Sequence, residues 1–133
     1  MSCLLIVDDE TDVREFTANF FRKRKITVAT ASSGEDALDL IEKHKADLVL
    51  LDIKMGGIDG VETLRRIKAV DDRIKVIMVT GRKPEEDDTF ESCKRLGAID
   101  YIHKPLQLDE LEKIVLRELF PPKHEDGTSE DQL

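Results

Sequence analysis

Cysteine is scarce in this chain: Cys3 and Cys93 are the only two, and they stand alone, in neither metal-ligand spacing nor a paired framework. That excludes a secreted disulfide scaffold and a cysteine-built metal site, and leaves both as ordinary reduced thiols. Long apolar runs are also missing, so nothing in the sequence spans a bilayer. The amino terminus enters a strand-like segment without a basic stretch, a signal core or a cleavage site, which predicts a cytoplasmic protein with no membrane partner. Positive charge is in deficit, 21 Lys and Arg against 29 Asp and Glu, for a formal net charge of -8. Phosphate backbones attract basic patches, so direct nucleic-acid binding is not expected. The one dense basic cluster, Arg22-Lys23-Arg24-Lys25, reads as a solvated helix end whose cations suit the negative pole of the dipole. At 133 residues the chain has room for one core but not for a separate effector domain, so its output is expected from its own surface.

What is present is a mixture of 40% hydrophobic and 38% charged residues, the balance of a soluble domain with a charged exterior. Strand signals at Leu4 to Val7, Ile26 to Ala29, Leu48 to Leu51, Ile74 to Val79 and Asp100 to Ile102 alternate with helix-length intervals. Val13, Phe16 and Phe20 recur at helical spacing, as do Ala37, Leu38 and Ile41 behind a plausible N-cap at Ser33. Val61, Leu64 and Ile67 mark a third helix, and Phe90, Cys93 and Leu96 a fourth that Gly97 can end. Leu108, Leu111, Val115 and Leu119 mark the last. Such alternation predicts an α/β three-layer sandwich, a five-stranded parallel sheet between five helices. Pro121-Pro122 stops the final helix, dividing a folded domain over residues 1–120 from an acidic, aperiodic segment over 121–133. That segment reads equally well as a flexible tail or as a linker cut from a longer chain.

Acids stand at the ends of two of the apolar runs: Asp8 and Asp9 after Leu4-Leu5-Ile6-Val7, and Asp52 after Leu48-Val49-Leu50-Leu51. Continuous apolar runs suit parallel strands covered on both faces, and open α/β sheets place their ligands beyond the carboxyl ends of the strands. Several carboxylates then share one crevice, where like charges repel unless something positive joins them. An all-oxygen set of this kind suits a hard divalent cation such as Mg²⁺. The fourth strand ends at Thr80-Gly81 and the fifth leads to Lys104-Pro105, adding a hydroxyl, an uncluttered backbone and a cation, all phosphate-binding groups.

Two acids, a central aspartate, a strand-end threonine and a lysine followed by proline, in that order, resemble the receiver domain of two-component response regulators. The resemblance covers about Cys3 to Phe120 and implies a flavodoxin-like fold with strand order 2-1-3-4-5. It further implies that Asp52 accepts a phosphoryl group from a sensor histidine kinase or phosphotransfer protein. Asp9, Asp52 and the backbone carbonyl of Lys54 would be direct Mg²⁺ ligands, Asp8 would act largely through water, and Mn²⁺ could replace Mg²⁺. Thr80 and Gly81 would contact the phosphoryl group, and Lys104, with its bond to Pro105 cis, would neutralise it. Thr80 and Tyr101 would form the switch that reshapes the surface of the fourth helix, fifth strand and fifth helix toward a downstream protein target. A phosphorylation-linked dimer through that surface is also open.

Gly56-Gly57 departs from the family pattern, in which proline then glycine is common, and predicts a more mobile loop after Asp52. Lys54 and Arg82 are long cations able to reach over the site. The stretch from Arg82 to Asp88 reads as a loop leading into the fourth helix, and His44, His103 and His124 read as surface residues. Three alternatives share parts of this pattern. An aspartyl-phosphate hydrolase would place a second acid where Lys54 stands. A flavin module would need neutral groups where Asp8-Asp9-Glu10 stand, and a phosphorylation-independent interaction module would leave the acidic set without a task.

Overall fold

The computed structural model describes residues 3–81 and 89–121. The loop expected from Arg82 to Asp88, His124, and the acidic segment from Pro122 onward lie outside the described residues. The elements run β1 (Cys3–Val7), α1 (Thr11–Arg22), β2 (Thr27–Ala31), α2 (Gly34–Lys43), β3 (Leu48–Asp52), α3 (Gly60–Val70), β4 (Lys75–Thr80), α4 (Phe90–Arg95), β5 (Asp100–His103) and α5 (Leu108–Leu119). The five strands form one parallel sheet in the order β2-β1-β3-β4-β5.

Side chains alternate across a strand, and the continuous apolar runs therefore feed two cores at once. Leu5, Val7, Val49, Leu51, Val76 and Met78 face the layer of α2, α3 and α4, where Ala37, Ile41, Leu64, Ile67 and Cys93 complete the packing. Leu4, Ile6, Leu48, Leu50 and Ile77 face α1 and α5, packing on Ala18, Phe21, Leu111, Val115 and Leu119. Each fully buried Leu or Ile contributes about 1.5–3 kcal/mol, so the central strands are the strongest anchors in the molecule. Cys3 and Cys93 stand on separate elements, β1 and α4.

Helix caps follow the local sequence. Ser33 accepts the Asp36 N–H at 3.1 Å, and Asp59 accepts the Glu62 N–H at 2.9 Å, each satisfying an orphan donor of a helix first turn. In α1 the buried residues are Thr17, Ala18 and Phe21, whereas Phe16 is 67% exposed. Of the stripe Val13, Phe16 and Phe20, Phe16 is thus turned away from the core, while Phe20 is partly buried and packs against it. Phe90, expected in the buried stripe of α4, is likewise exposed, while Cys93 is buried. His103, expected at the surface, is a further correction: it is half-buried in β5, its ring 5.6 Å from that of Tyr101.

The chain order reverses between β1 and β3, which lie side by side at the centre of the sheet. That reversal opens a crevice at the carboxyl edge, the place where doubly wound sheets bind ligands. Val7 is in register with Leu51, so the next residue of each strand, Asp8 and Asp52, emerge together. Gly60 begins α3 hard against this edge. A Cβ there would lie 2.3 Å from the Asp52 carbonyl oxygen and 2.5 Å from the Ile53 Cα. Only glycine lets the helix start so close to the strand end.

Candidate functional site at the carboxyl edge

Asp8 and Asp52 are 5% and 4% exposed, and carboxylate oxygens of Asp8, Glu10 and Asp52 all lie within 4.8 Å of one another. Backbone contacts hold the β1–α1 turn in place. Asp8 N–H donates to the Ala31 carbonyl at 3.1 Å, Glu10 N–H to Asp8 Oδ1 at 2.9 Å, and Arg14 Nη1 to the Asp8 carbonyl at 2.8 Å. Lys104 reaches in from the far side of the crevice. Its Nζ stands 3.3 Å from Asp8 Oδ2, 3.1 Å from Glu10 Oε1 and 3.2 Å from Asp52 Oδ2.

Lys104 is delivered there by β5, whose end is tied to β4 by the Lys104 N–H to Thr80 carbonyl bond of 2.7 Å, and the Lys104–Pro105 bond is cis. Thr80 closes β4 and is 1% exposed. Gly81 is exposed beside the Lys104 stem, so the phosphate-binding groups expected from the sequence share this edge. Lys54 points its side chain to solvent while its N–H donates to Asp52 Oδ1 at 3.3 Å.

Asp9 stands apart from the cluster, exposed at the rim, and Glu10 rather than Asp9 completes the set of converging oxygens. Glu10 is the residue that sequence reasoning missed. The signal was the unbroken acidic run Asp8-Asp9-Glu10, but only the turn geometry decides which of Asp9 and Glu10 joins Asp8 at the crevice.

Charge is unbalanced in the crevice. Burial and the neighbouring Asp8 push Asp52 from 3.8 up to about 6, with Lys104 and the Lys54 N–H pulling the other way. For Lys104, burial works against the charge, yet Asp52, Asp8 and Glu10 outweigh it and the net shift is upward. One ammonium cannot balance three carboxylates, and a hard cation with oxygen ligands would supply the missing charge. The donor set therefore fits Mg²⁺: carboxylate oxygens of Asp8, Glu10 and Asp52 lie within 4.8 Å of one another, as a hard cation with oxygen ligands requires.

Tyr101 lies in β5, away from the carboxylates. Its hydroxyl is 2.7 Å from Thr89 Oγ1, and its ring meets that of Phe90 edge-on at 5.2 Å. Thr89 is a second contact that no sequence pattern marked, since it depends on how the start of α4 sits over β5.

A flavodoxin-like sheet that gathers carboxylates, a threonine and a lysine at its carboxyl edge defines a phosphate-handling receiver. Comparison with known proteins gives the same answer: the chain matches the response regulator receiver domain over residues 4–116 and belongs to that family, a phosphorylation-controlled switch of two-component systems. It is 39% identical over 116 residues to sporulation initiation phosphotransferase F of Bacillus subtilis, covering 87% of this chain and 92% of that protein. A CheY-like response regulator receiver domain protein from Methanospirillum hungatei has a TM-score of 0.84 at 29% identity, covering 90% of this chain and 94% of that one. The response regulator protein TrrA from Thermotoga maritima, solved in complex with Mg²⁺ and BeF, has a TM-score of 0.78 at 32% identity, covering 90% of this chain and all of that one, 100%. Receiver domains of this family interact with histidine kinases or phosphotransfer proteins and with downstream targets. Among the described residues no helix is long and apolar enough to cross a membrane.

Proposed function

We propose that Asp52 is the phosphoacceptor of this receiver and that Mg²⁺ supports the transfer, with Mn²⁺ able to take its place. Asp52 and the Lys54 carbonyl would hold the ion, joined by Asp9 turning in from its exposed position at the rim, and Asp8 would act largely through bound water. The observation that carries this reading is the convergence of Asp8, Asp52 and Lys104 within 3.3 Å contacts at one strand edge. A phosphoryl donor brings a further anion to a carboxylate, and the bound ion would supply charge neutralisation. Lys104 does the same from the protein side with a charge-assisted contact, while the Thr80 hydroxyl and the Gly81 N–H offer donors to phosphoryl oxygens. Asp52 itself attacks as an ionised carboxylate, a form its raised pKa makes available above about 6.

The output surface in this reading is the face of α4, β5 and α5. Phe90, Ile99 and Leu116 are exposed apolar side chains there, and a groove beside Tyr101 is lined by Phe90, Cys93, Ala98 and Ile99. Exposed apolar patches of this kind suit a protein partner or a second copy. Thr80 and Tyr101 would couple the two ends, the first closing on the phosphoryl group and the second rearranging against α4. In this reading the receiver domain spans residues 1–120, and the place of action is the cytoplasm.

Incubation with acetyl phosphate and Mg²⁺, followed by intact mass measurement, should yield one phosphoryl adduct that Asp52→Asn abolishes. A folded chain that takes up neither acetyl phosphate nor beryllofluoride at Asp52 would end this reading.

A further inference from the structure

Between Asp52 and the start of α3 the chain runs through Ile53-Lys54-Met55-Gly56-Gly57-Ile58-Asp59. Its ends are fixed by the fold. Ile53 N–H donates to the Val79 carbonyl at 2.9 Å, Gly60 N–H donates to the Ile53 carbonyl at 2.7 Å, and the Ile53 and Met55 side chains are buried. The middle has no such anchor of its own. Gly56 and Gly57 are exposed, a Cβ at Gly56 would meet nothing within 4 Å, and consecutive glycines sample more backbone conformations than any other pair.

What holds the middle comes from another element. Glu35, in the first turn of α2, accepts the Ile58 N–H on Oε2 at 3.2 Å. Both of its carboxylate oxygens also lie 2.8 Å from where a Cβ on Gly57 would stand, and Gly57 itself sits at φ +76°. The carboxylate thus lies across the left-handed turn. Its own position is constrained by Gly34, where a Cβ would come within 2.1 Å of Thr63 Oγ1 and 2.8 Å of Ile58 Cγ1. The start of α2 is therefore seated directly on this loop and on α3.

We propose that Glu35 is a positioning residue for cation binding at the carboxyl edge, acting by tying the Ile58 N–H and covering Gly57 so that the loop carrying the Lys54 carbonyl is ordered in advance. The inference rests on the reading of Asp52 and the Lys54 carbonyl as cation ligands. A mobile loop must be ordered when its carbonyl takes a fixed place beside an ion, and that entropy opposes binding. A loop already tied to α2 loses it on folding instead, which raises affinity without any contact between Glu35 and the ion.

The rival account is simple charge, since any nearby carboxylate attracts a cation. Glu35→Gln separates the two, because the amide keeps an oxygen for the Ile58 N–H and removes the charge. The probe is Mg²⁺ alone, titrated calorimetrically into the full chain without a phosphoryl donor, with amide hydrogen exchange followed at Gly57 and Ile58. Glu35→Ala should weaken Mg²⁺ binding by about three- to tenfold, the worth of one hydrogen bond, and speed exchange at both amides, while Glu35→Gln stays within about twofold of the parent. Binding by Glu35→Ala as tight as the parent's overturns the proposal, and so does a loss in Glu35→Gln equal to that in Glu35→Ala. A parent chain that fails to bind Mg²⁺ overturns the reading of the cluster itself, a result distinguishable from failure at Glu35 alone.

Discussion

The Lys104 ammonium and the Asp52 carboxylate, 52 positions apart in the chain, meet at 3.2 Å, and yet Asp52 is harder to ionise than an ordinary aspartate. Burial and Asp8 outweigh the lysine. Because the folded-state pKa of about 6 lies above the ordinary 3.8, Asp52 binds its proton more tightly when the chain is folded. Its contribution to stability is complete below about 3.8 and is lost as pH rises through about 6. Asp52→Asn should therefore stabilise the metal-free protein at neutral pH, by roughly 1–3 kcal/mol given about 1.4 kcal/mol per unit. Urea unfolding in chelator at neutral pH and near pH 4 checks this. The gap between variant and parent should close at the lower pH, and a gap of equal size at both would show that charge crowding is not its origin.

Lys104 has two opposed effects on the site, and its removal should separate them. The ammonium sits among the carboxylates a cation needs, at 3.3 Å from Asp8 and 3.1 Å from Glu10, so it competes for their charge. It also lowers the pKa of Asp52. In Lys104→Ala, Asp52 should titrate higher than about 6, seen by carboxyl carbon chemical shifts. Above that range Mg²⁺ should bind several-fold more tightly, on the order of 1 kcal/mol, and raise the melting temperature further than in the parent. Acceptance from acetyl phosphate should nonetheless slow, since the contact to the phosphoryl group is gone. A variant with weaker Mg²⁺ binding would contradict the competition.

Gly56, in the loop after β3, and Gly60, the first residue of α3, should respond in opposite directions to an added methyl. At Gly60 a Cβ meets backbone, the Asp52 carbonyl oxygen at 2.3 Å and the Ile53 Cα at 2.5 Å, and neither can move without disturbing β3. At Gly56 nothing lies within 4 Å and the φ is not in the left-handed region. Gly60→Ala should cost about 1–3 kcal/mol through overpacking and weaken Mg²⁺ binding. Gly56→Ala should be neutral or stabilising by up to about 1 kcal/mol through a less flexible unfolded chain. Denaturant midpoints at constant slope decide both.

Most of the carboxyl edge was legible because parallel strands announce themselves as short apolar runs, and the residues just past the end of each run must emerge at one edge. Asp8, Asp52, Thr80 and Lys104 are found together for that reason alone. The inward turn of Glu10 was not legible, because the sequence does not say which of Asp9 and Glu10 joins Asp8 at the crevice. Helix α1 misled for a related reason. Phe16 adds to the apolar signal but is exposed, whereas Thr17, Ala18 and Phe21 are buried with Phe20 partly buried beside them, and small residues are what let a helix approach the sheet closely. Glu35 and Thr89 were hidden because each acts across elements, on the loop before α3 and on β5, through contacts that only packing creates.

The Thr89–Tyr101 pair ties the start of α4 to β5 through two hydroxyls 2.7 Å apart, in a partly buried setting. Thr89→Val keeps the shape and removes one partner, and Tyr101→Phe removes the other. Each change should cost about 0.5–1.5 kcal/mol, and the double variant should cost less than their sum by a similar amount. Urea unfolding of all four proteins measures this coupling, and additivity within about 0.3 kcal/mol would mean the hydroxyls do not interact. The bond also restrains the aromatic group proposed to rearrange on phosphorylation. Thr89→Val should therefore shift the amide resonances of β5 and α4 part of the way toward their beryllofluoride-bound positions before any ligand is added. Shifts confined to the immediate neighbours of residue 89 would show that this contact only holds the surface together and does not bias the switch.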